Sequence, residues 1–300
     1  MKTSVDKDLS EILNINASSS LCSFKEATVD EIISLISKSS NAYCNLDPIP
    51  TNLVKLCSAN LAPFLVKIVN MSLNTSIFPS IMKQAIVKPL LKKSGLDIND
   101  LKNYRPVSNL SFISKLCERI VANPLDDYLV VNNLVEKFQS AYRRFHSTET
   151  ALLRVHNDIL SSLNEKKMVA LVLPDLSAAF DTLNHNILLK RLSTRFGIKD
   201  RALRWIQSYL KDRTQRVTVA GIESHPIKLD IGVPQGSVLG PLLFTLYTSS
   251  LADVIRQYNV QGRRAKIIFL GGGVSGDCPK DYLSGAPLSV GAERTENFEK

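Results

Sequence analysis

An aspartate follows a continuously apolar stretch and is itself followed by small residues. The segment reads LPDLSAAFD at residues 173–181, with Asp175 directly after the apolar residues. An acid at the end of a buried strand can hold a hard cation through its oxygens, and small residues let backbone amides approach a phosphate. The same pattern fits an aspartate that caps the following helix, and the segment alone leaves both interpretations open.

A second segment combines glycines and prolines around one amide side chain. It reads GVPQGSVLGP at residues 232–241. Glycines let a ligand approach the backbone closely, and the amide of Gln235 can both donate and accept hydrogen bonds. An ordinary Gly-Pro turn with Ser237 as a helix N-cap has the same composition, so this segment alone does not identify a site.

The elements that must position these segments are predicted to be a mixture of helices and strands. A capping box begins a helix at Thr28, and Ser147 is placed to cap another. Further predicted helices cover residues 53–71 (one or two helices), 111–130, 148–163, 185–196, 200–211 and 237–257. Pro124 should kink or end the helix over 111–130. The predicted strands cover residues 85–91, 168–173 (buried on both faces) and a hairpin over 215–231. This order indicates an α+β architecture rather than regular βαβ winding.

Composition limits the class of partner and the compartment. The formal net charge is +9 and the pI about 9.3, which suits a polyanion such as nucleic acid. No apolar run reaches the roughly 18 residues of a membrane span, so we expect an intracellular protein, nuclear or cytoplasmic, that is neither secreted nor bound to a membrane. The five cysteines lack CxxC spacing and lie apart from the histidines, so a zinc site is not expected.

Taken together and in this order, the two segments resemble motifs A and B of reverse transcriptases. Their residues are most similar to those of non-long-terminal-repeat retrotransposons of the Jockey-like, long interspersed element type. Upstream segments resemble the same family. They read CNLDPIP at 44–50, VKPLLKK at 87–93, NYRPVSNL at 103–110, FQSAYR at 138–143 and HSTETA at 146–151. The resemblance extends from about residue 24 to 260. It implies the fingers and part of the palm of a right-hand polymerase.

The resemblance implies a role for the acid of the first segment. Reverse transcriptases add nucleotides by two-metal phosphoryl transfer, in which carboxylates hold two Mg²⁺ ions. Asp175 is then the first metal ligand, with the backbone carbonyl of Leu176 beside it, and an RNA or DNA template-primer is the partner.

The remaining implied roles concern the nucleotide and the template. Phe180 stands where the family places the aromatic that presses on the sugar, and Ala178 and Ala179 present backbone near the triphosphate. Gln235 and Gly236 line the template and the incoming nucleotide. The candidates for template or triphosphate contacts are Arg105 and Arg143, and a solvated surface arginine remains the alternative for each.

The resemblance also divides the chain into regions. We expect a flexible segment over residues 1–23, a helical region over 24–83, fingers over 84–166, a partial palm over 167–260 and an unrelated Gly-rich tail over 261–300. A thumb and an endonuclease domain are expected to be absent.

The family pattern fails where motif C, a pair of adjacent aspartates, should follow motif B. The corresponding stretch, NVQGRRAKIIFL at residues 259–270, contains no acid. Smaller departures are Pro174 before the metal aspartate, Pro124 in a fingers helix and Ala141 in place of glycine. Asp175 alone leaves two divalent ions without charge compensation, so we expect Mg²⁺ to bind poorly and polymerisation to be lost. The alternatives are a non-catalytic nucleic-acid-binding protein, with Arg144, Lys92 and Lys93 as further phosphate contacts, and a nonfunctional fragment of a decayed element.

Overall fold

The computed structural model describes residues 18–41, 44–169, 171 and 179–257. Its first part is helical: α1 (Val29–Lys38), α2 (Thr51–Leu56) and α3 (Ser58–Thr75). The predicted cap of α1 is confirmed, since Thr28 Oγ1 accepts a hydrogen bond from the Glu31 amide at 3.2 Å. Leu21, in the stretch predicted to be a flexible lead-in, forms a parallel bridge to Ile198.

A single sheet contains every strand of the described residues. Its strands are β1 (Gln84–Leu91), β2 (Tyr104–Asn109), β3 (Arg213–Val219), β4 (Ile222–Glu223) and β5 (Ile227–Leu229). β1 pairs antiparallel with β2 and parallel with β3, whereas β4 and β5 both return antiparallel to β3. The predicted strand at 85–91 and the predicted hairpin at 215–231 are therefore confirmed.

The remaining helices follow the predicted order. They are α4 (Phe112–Val131), α5 (Thr148–Asn164), α6 (His185–Thr194), α7 (Asp200–Leu210), α8 (Gly240–Thr248) and α9 (Ser250–Gln257). Together with the sheet they confirm a mixed α and β architecture. No helix of the described residues is long and apolar enough to cross a membrane.

The main core is centred on Trp205 of α7, which is fully buried. Its ring lies edge-on to Phe24 and Phe78, at centroid distances of 5.9 and 5.4 Å, and stacks on Tyr209 at 5.9 Å. Its indole nitrogen donates to Ser72 Oγ at 3.0 Å, so the one polar atom of the ring is satisfied. This core joins the N-terminal helices to α7, the helix that leads into β3.

The helix predicted over 111–130 is present as α4. Of the two alternatives for Pro124, an end of the helix is excluded, because α4 continues to Val131 with Pro124 inside it. Leu116 and Ile120 before the proline and Leu125 and Leu129 after it are all buried, and this burial stabilises the helix beyond the cost of one missing amide.

The helix predicted over 237–257 is two helices. α8 begins only at Gly240 and ends at Thr248, and Ser249 separates it from α9, which begins at Ser250.

The buried strand predicted over 168–173 is wrong for its described part. Met168, Val169 and Leu171 are 87%, 42% and 57% exposed and belong to no strand. Residues 170, 172 and 173 of this stretch lie outside the described residues.

Candidate nucleotide and template site

The 232–239 loop (Gly232–Leu239) is tied at its start to the end of the first chemistry-bearing segment. The Gly232 amide donates to the Leu183 carbonyl at 2.7 Å, and the Val233 amide donates to the Phe180 carbonyl at 2.8 Å. His185 Nε2 donates to the Gly232 carbonyl at 2.7 Å. Gly232 has φ +83°, and a Cβ there would lie 2.8 Å from the Phe180 carbonyl oxygen, so a larger residue could not make this approach.

The middle of the 232–239 loop is tied to β2. The Ser108 amide donates to the Gln235 carbonyl at 2.6 Å. Gly236 has φ +121°, and a Cβ built on it would lie 2.5 Å from the Ser108 carbonyl oxygen. The backbone of β2 therefore touches the loop at a position that only glycine can occupy.

The end of the 232–239 loop is held by a buried carboxylate on α4. Glu118 Oε2 accepts hydrogen bonds from the amides of Val238, at 2.7 Å, and Leu239, at 3.0 Å. The same oxygen accepts from the Tyr209 hydroxyl at 3.1 Å, and Oε1 accepts from Ser114 Oγ at 3.3 Å. Glu118 is fully buried, and its charge lies at the amino end of α8, where the helix dipole favours an anion.

Ser237 contributes to the same turn from within. Its hydroxyl donates to the Pro234 carbonyl at 2.8 Å and accepts from the Gly240 amide at 3.1 Å. Ser237 is nevertheless not the N-cap that one interpretation of the sequence expected, because α8 begins at Gly240 with Leu239 in the N-cap position.

The attachments leave one part of the loop open. Gly232 to Pro234 and Ser237 to Leu239 are buried, whereas Gln235 is half-buried and Gly236 is exposed. Gln235 and Gly236, to which the resemblance gives contacts with the template and the nucleotide, are therefore the accessible residues of this loop.

Phe180 belongs to an aromatic cluster beside this loop. Its ring centroid lies 6.2 Å from that of Tyr142, edge-on, and 5.2 Å from that of Phe244 on α8. All three rings are partly exposed, so they form a wall rather than a closed core. Ala179, next to Phe180, is half-buried in the turn that leads out of the segment.

The two candidate arginines lie in different settings. Arg105 is half-buried on β2, three residues before the Ser108 contact. Arg143 is half-buried, and its Nη1 donates to the carbonyls of Glu136 and Gln139 at 3.3 and 3.4 Å. Arg143 thus stabilises its own loop, a function that sequence reasoning did not assign to it.

The further basic candidates are also partly engaged. Arg144 forms ion pairs with Asp126 and Asp127, at 3.3 and 3.2 Å. Lys92 Nζ donates to the Lys102 carbonyl at 2.7 Å, and Lys93 is exposed. These contacts lie at the surface, where ion pairs are weak and can be exchanged for a phosphate.

The metal assignment lies outside the described residues. Asp175, Leu176, Ala178 and Pro174 all fall in the undescribed stretch 172–178. Within the residues that the structure describes, no group of three or more His, Cys, Asp or Glu side chains could hold a metal ion.

Sequence reasoning missed the buried polar network behind the loop. Burial raises the pKa of Tyr209 far above its ordinary range, and the neighbouring Glu118 carboxylate raises it further. The Arg213 guanidinium lies over the Tyr209 ring at 4.2 Å, and its Nε donates to the Tyr209 carbonyl at 2.7 Å. Helical spacing could have indicated that Glu118 is buried. It shares the buried face of α4 with Ser114, Val121 and Leu125, at i−4, i+3 and i+7.

The family model described as reverse transcriptase (RNA-dependent DNA polymerase) matches residues 90–270, more than half of the chain. The chain belongs to the reverse transcriptase family. Members of this family generally use a divalent metal ion and bind a nucleic-acid template-primer. The match covers β2, α4, the aromatic cluster and the whole 232–239 loop.

Curated relatives indicate which group of reverse transcriptases the chain resembles. The chain is 33% identical over 226 residues to "Probable RNA-directed DNA polymerase from transposon BS" of Drosophila melanogaster, covering 75% of this chain and 24% of that protein. It is 31% identical over 225 residues to "RNA-directed DNA polymerase from mobile element jockey" of the same species, covering 75% of this chain and 24% of that protein. The jockey protein of Drosophila funebris is 31% identical over 236 residues, covering 78% of this chain and 25% of that protein.

These matches confirm a reverse transcriptase domain of the non-long-terminal-repeat retrotransposon type. The matched part of the chain spans about a quarter of the length of these curated relatives.

Proposed function

We propose that this reverse transcriptase domain binds a primed RNA or DNA template at the 232–239 loop and does not extend the primer. The observation that carries the proposal is the attachment of this loop at its start, middle and end, which leaves only Gln235 and Gly236 open to a ligand. Because the loop is already fixed, it loses little conformational entropy when a base pair binds to it.

The surroundings of the loop suit a nucleic acid. The aromatic wall of Phe180, Tyr142 and Phe244 offers a face on which a sugar or base can pack. Arg105, on the strand that contacts the loop, and Arg143 are the proposed phosphate contacts, helped by the net charge of +9.

The proposed loss of primer extension is argued from the missing carboxylate ligands for Mg²⁺. By resemblance, Asp175 and the carbonyl of Leu176 would hold Mg²⁺, which would stabilise the attacking and leaving oxygens. The 259–270 stretch supplies no acid, and the described residues contain no cluster that could replace one. One carboxylate does not fit a two-Mg²⁺ centre, because two divalent ions need several anionic ligands.

The regional assignment is part of the same proposal. β1, β2 and α4 correspond to fingers over residues 84–166, and the 232–239 loop with α8 corresponds to a partial palm over 167–260. No thumb is proposed within residues 1–300, and the Gly-rich stretch 261–300 is proposed to be unrelated to the polymerase fold.

Primer extension tests the catalytic half of the proposal. The substrate is poly(rA) primed with oligo(dT), with Mg²⁺ and then Mn²⁺, and the chain is compared with its Asp175→Ala form and with an active reverse transcriptase. We expect no extension by either form of the chain. Extension that Asp175→Ala abolishes would overturn the claim of a disabled centre.

Fluorescence anisotropy with the same labelled duplex tests the binding half. We expect affinity that falls steeply with salt, and Arg105→Ala should reduce the slope of log K against log[salt] by about 1. Arg201→Ala, at an exposed arginine of α7, is the matched control and should leave the slope unchanged. Absence of binding at low salt would favour a nonfunctional fragment.

A further inference from the structure

We propose that Glu118 is a positioning residue that holds the open residues Gln235 and Gly236 in the geometry that nucleic acid recognises, an inference that rests on the proposed function. Glu118 is on α4, far from the loop in sequence, and touches neither open residue. It acts through the amides of Val238 and Leu239, the two residues that lead from the loop into α8.

The contacts of Glu118 are unequal between its two oxygens. Oε2 receives three donors, the amides of Val238 and Leu239 and the Tyr209 hydroxyl, whereas Oε1 receives only Ser114 Oγ. All four partners donate, so the side chain serves only as an acceptor. A single oxygen thus joins α4, α7 and the amino end of α8.

The position of Glu118 Oε2 restricts the conformation of the end of the 232–239 loop. The start of the 232–239 loop is tied to Leu183 and Phe180, and its middle is tied to Ser108. Without the Glu118 contact, the two buried amides of Val238 and Leu239 lose their acceptor, and after Gly236 the bonds of Ser237 to Pro234 and Gly240 remain, which tie the turn to itself. Because an unsatisfied buried amide is costly, the loop would move to find water, and Gln235 and Gly236 would move with it.

The chemistry of the contact predicts which substitution rescues it. In Glu118→Gln the amide oxygen can take the place of Oε2 and keep all three donors, while the NH₂ group meets Ser114 Oγ, which can turn to accept. In Glu118→Met the volume is similar, yet no acceptor remains. In Glu118→Asp the carboxylate is retained but withdrawn by about 1.5 Å, one C–C bond.

The first measurement is amide hydrogen exchange of the full chain without ligand. We expect Glu118→Met to speed exchange of Val238 and Leu239 by roughly tenfold or more, Glu118→Asp to do so to a smaller degree, and Glu118→Gln to remain near the wild type. Exchange in α1, which contains none of the hydrogen-bond partners of Glu118, should stay unchanged wherever the variant folds. If Glu118→Met does not fold, Glu118→Asp carries the same test. Unchanged exchange at Val238 and Leu239 would overturn the proposal.

The second measurement is anisotropy with the primed duplex at fixed salt. We expect Glu118→Met or Glu118→Asp to weaken binding by about five- to tenfold with an unchanged salt slope, because no phosphate contact is removed, and Glu118→Gln to restore it. Faster exchange with wild-type affinity would reduce Glu118 to a structural residue and overturn the inference. A wild-type chain that binds no duplex would overturn the proposed function instead, and the exchange data would still decide whether Glu118 holds the loop.

Discussion

The 232–239 loop and the segment from α5 to Leu171 both lie within the part of the chain that resembles reverse transcriptases, yet they are packed in opposite ways. The loop is irregular, but β2, α4 and the residues around Phe180 all bind its backbone. α5 is a regular helix of 17 residues, but Ala151 is its one buried residue.

The exposed side of α5 is apolar. Leu152, Leu153, Leu160 and Leu163 are 51%, 66%, 46% and 53% exposed, and Met168 beyond the helix is 87% exposed. What stabilises α5 is mostly local, namely the capping box of Ser147 and Thr150, with Arg154 stacked over Phe138 at 4.8 Å. Regular hydrogen bonding therefore does not by itself anchor a segment, because tertiary contacts supply most of the stability of a helix.

The largest expected effect comes from closing the contact between the loop and β2. Gly236→Ala should destabilise the domain by at least about 3 kcal/mol, because φ is +121° and the new Cβ would lie 2.5 Å from the Ser108 carbonyl oxygen. Gly221→Ala is the matched control, since Gly221 has φ +83° and open space around its Cβ position. It should cost about 1–2 kcal/mol. Urea unfolding measures both, and equal losses would contradict the proposed fixation of the loop.

Sequence patterns predicted the local elements well. The Thr28 cap, the strand at 85–91, the Ser147 cap and the hairpin after Gln215 depend on neighbouring residues, and all are present. The apolar spacing predicted a helix across Pro124, but the local rule left open whether the proline ends it, because burial of the flanking residues in the tertiary core decides that.

The candidate site was predicted in part. Resemblance assigned Gln235 and Gly236, and the structure leaves those two open, but the contacts that hold them come from Ser108 and Glu118, more than a hundred residues away. No spacing rule relates residues so distant in sequence. A charged residue on the buried face of α4 was the one visible sign of the Glu118 network.

Two serines that accept hydrogen bonds from helix amides test the comparison at smaller scale. Ser237→Ala should cost about 2 kcal/mol, because the buried Gly240 amide and Pro234 carbonyl both lose a partner. Ser147→Ala removes a cap from a weakly packed helix and should cost about 0.5 kcal/mol. Thermal or urea unfolding of both variants decides the order, and a larger loss for Ser147→Ala would show that α5 is the better anchored segment.

Two histidines give a matched pair with a smaller effect. His185→Ala should cost about 1 kcal/mol, because it removes the hydrogen bond to the Gly232 carbonyl. His156→Ala, at an exposed position of α5, should change stability by less than about 0.5 kcal/mol. Faster hydrogen exchange of the Gly232 and Val233 amides in His185→Ala alone would assign the loss to the start of the loop. Equal exchange in both variants would contradict that assignment.

The smallest expected effect is at the apolar surface of α5. Leu153→Ala should change the free energy of unfolding by less than about 0.5 kcal/mol, because the side chain is 66% exposed and leaves no cavity. Leu188→Ala on α6, where the side chain is fully buried, should cost about 3 kcal/mol and serves as the matched control. Urea unfolding of the full chain measures both. A cost for Leu153→Ala that approached the control would mean that another part of the folded chain covers α5. The conclusion that α5 is less well anchored than the 232–239 loop would then be wrong.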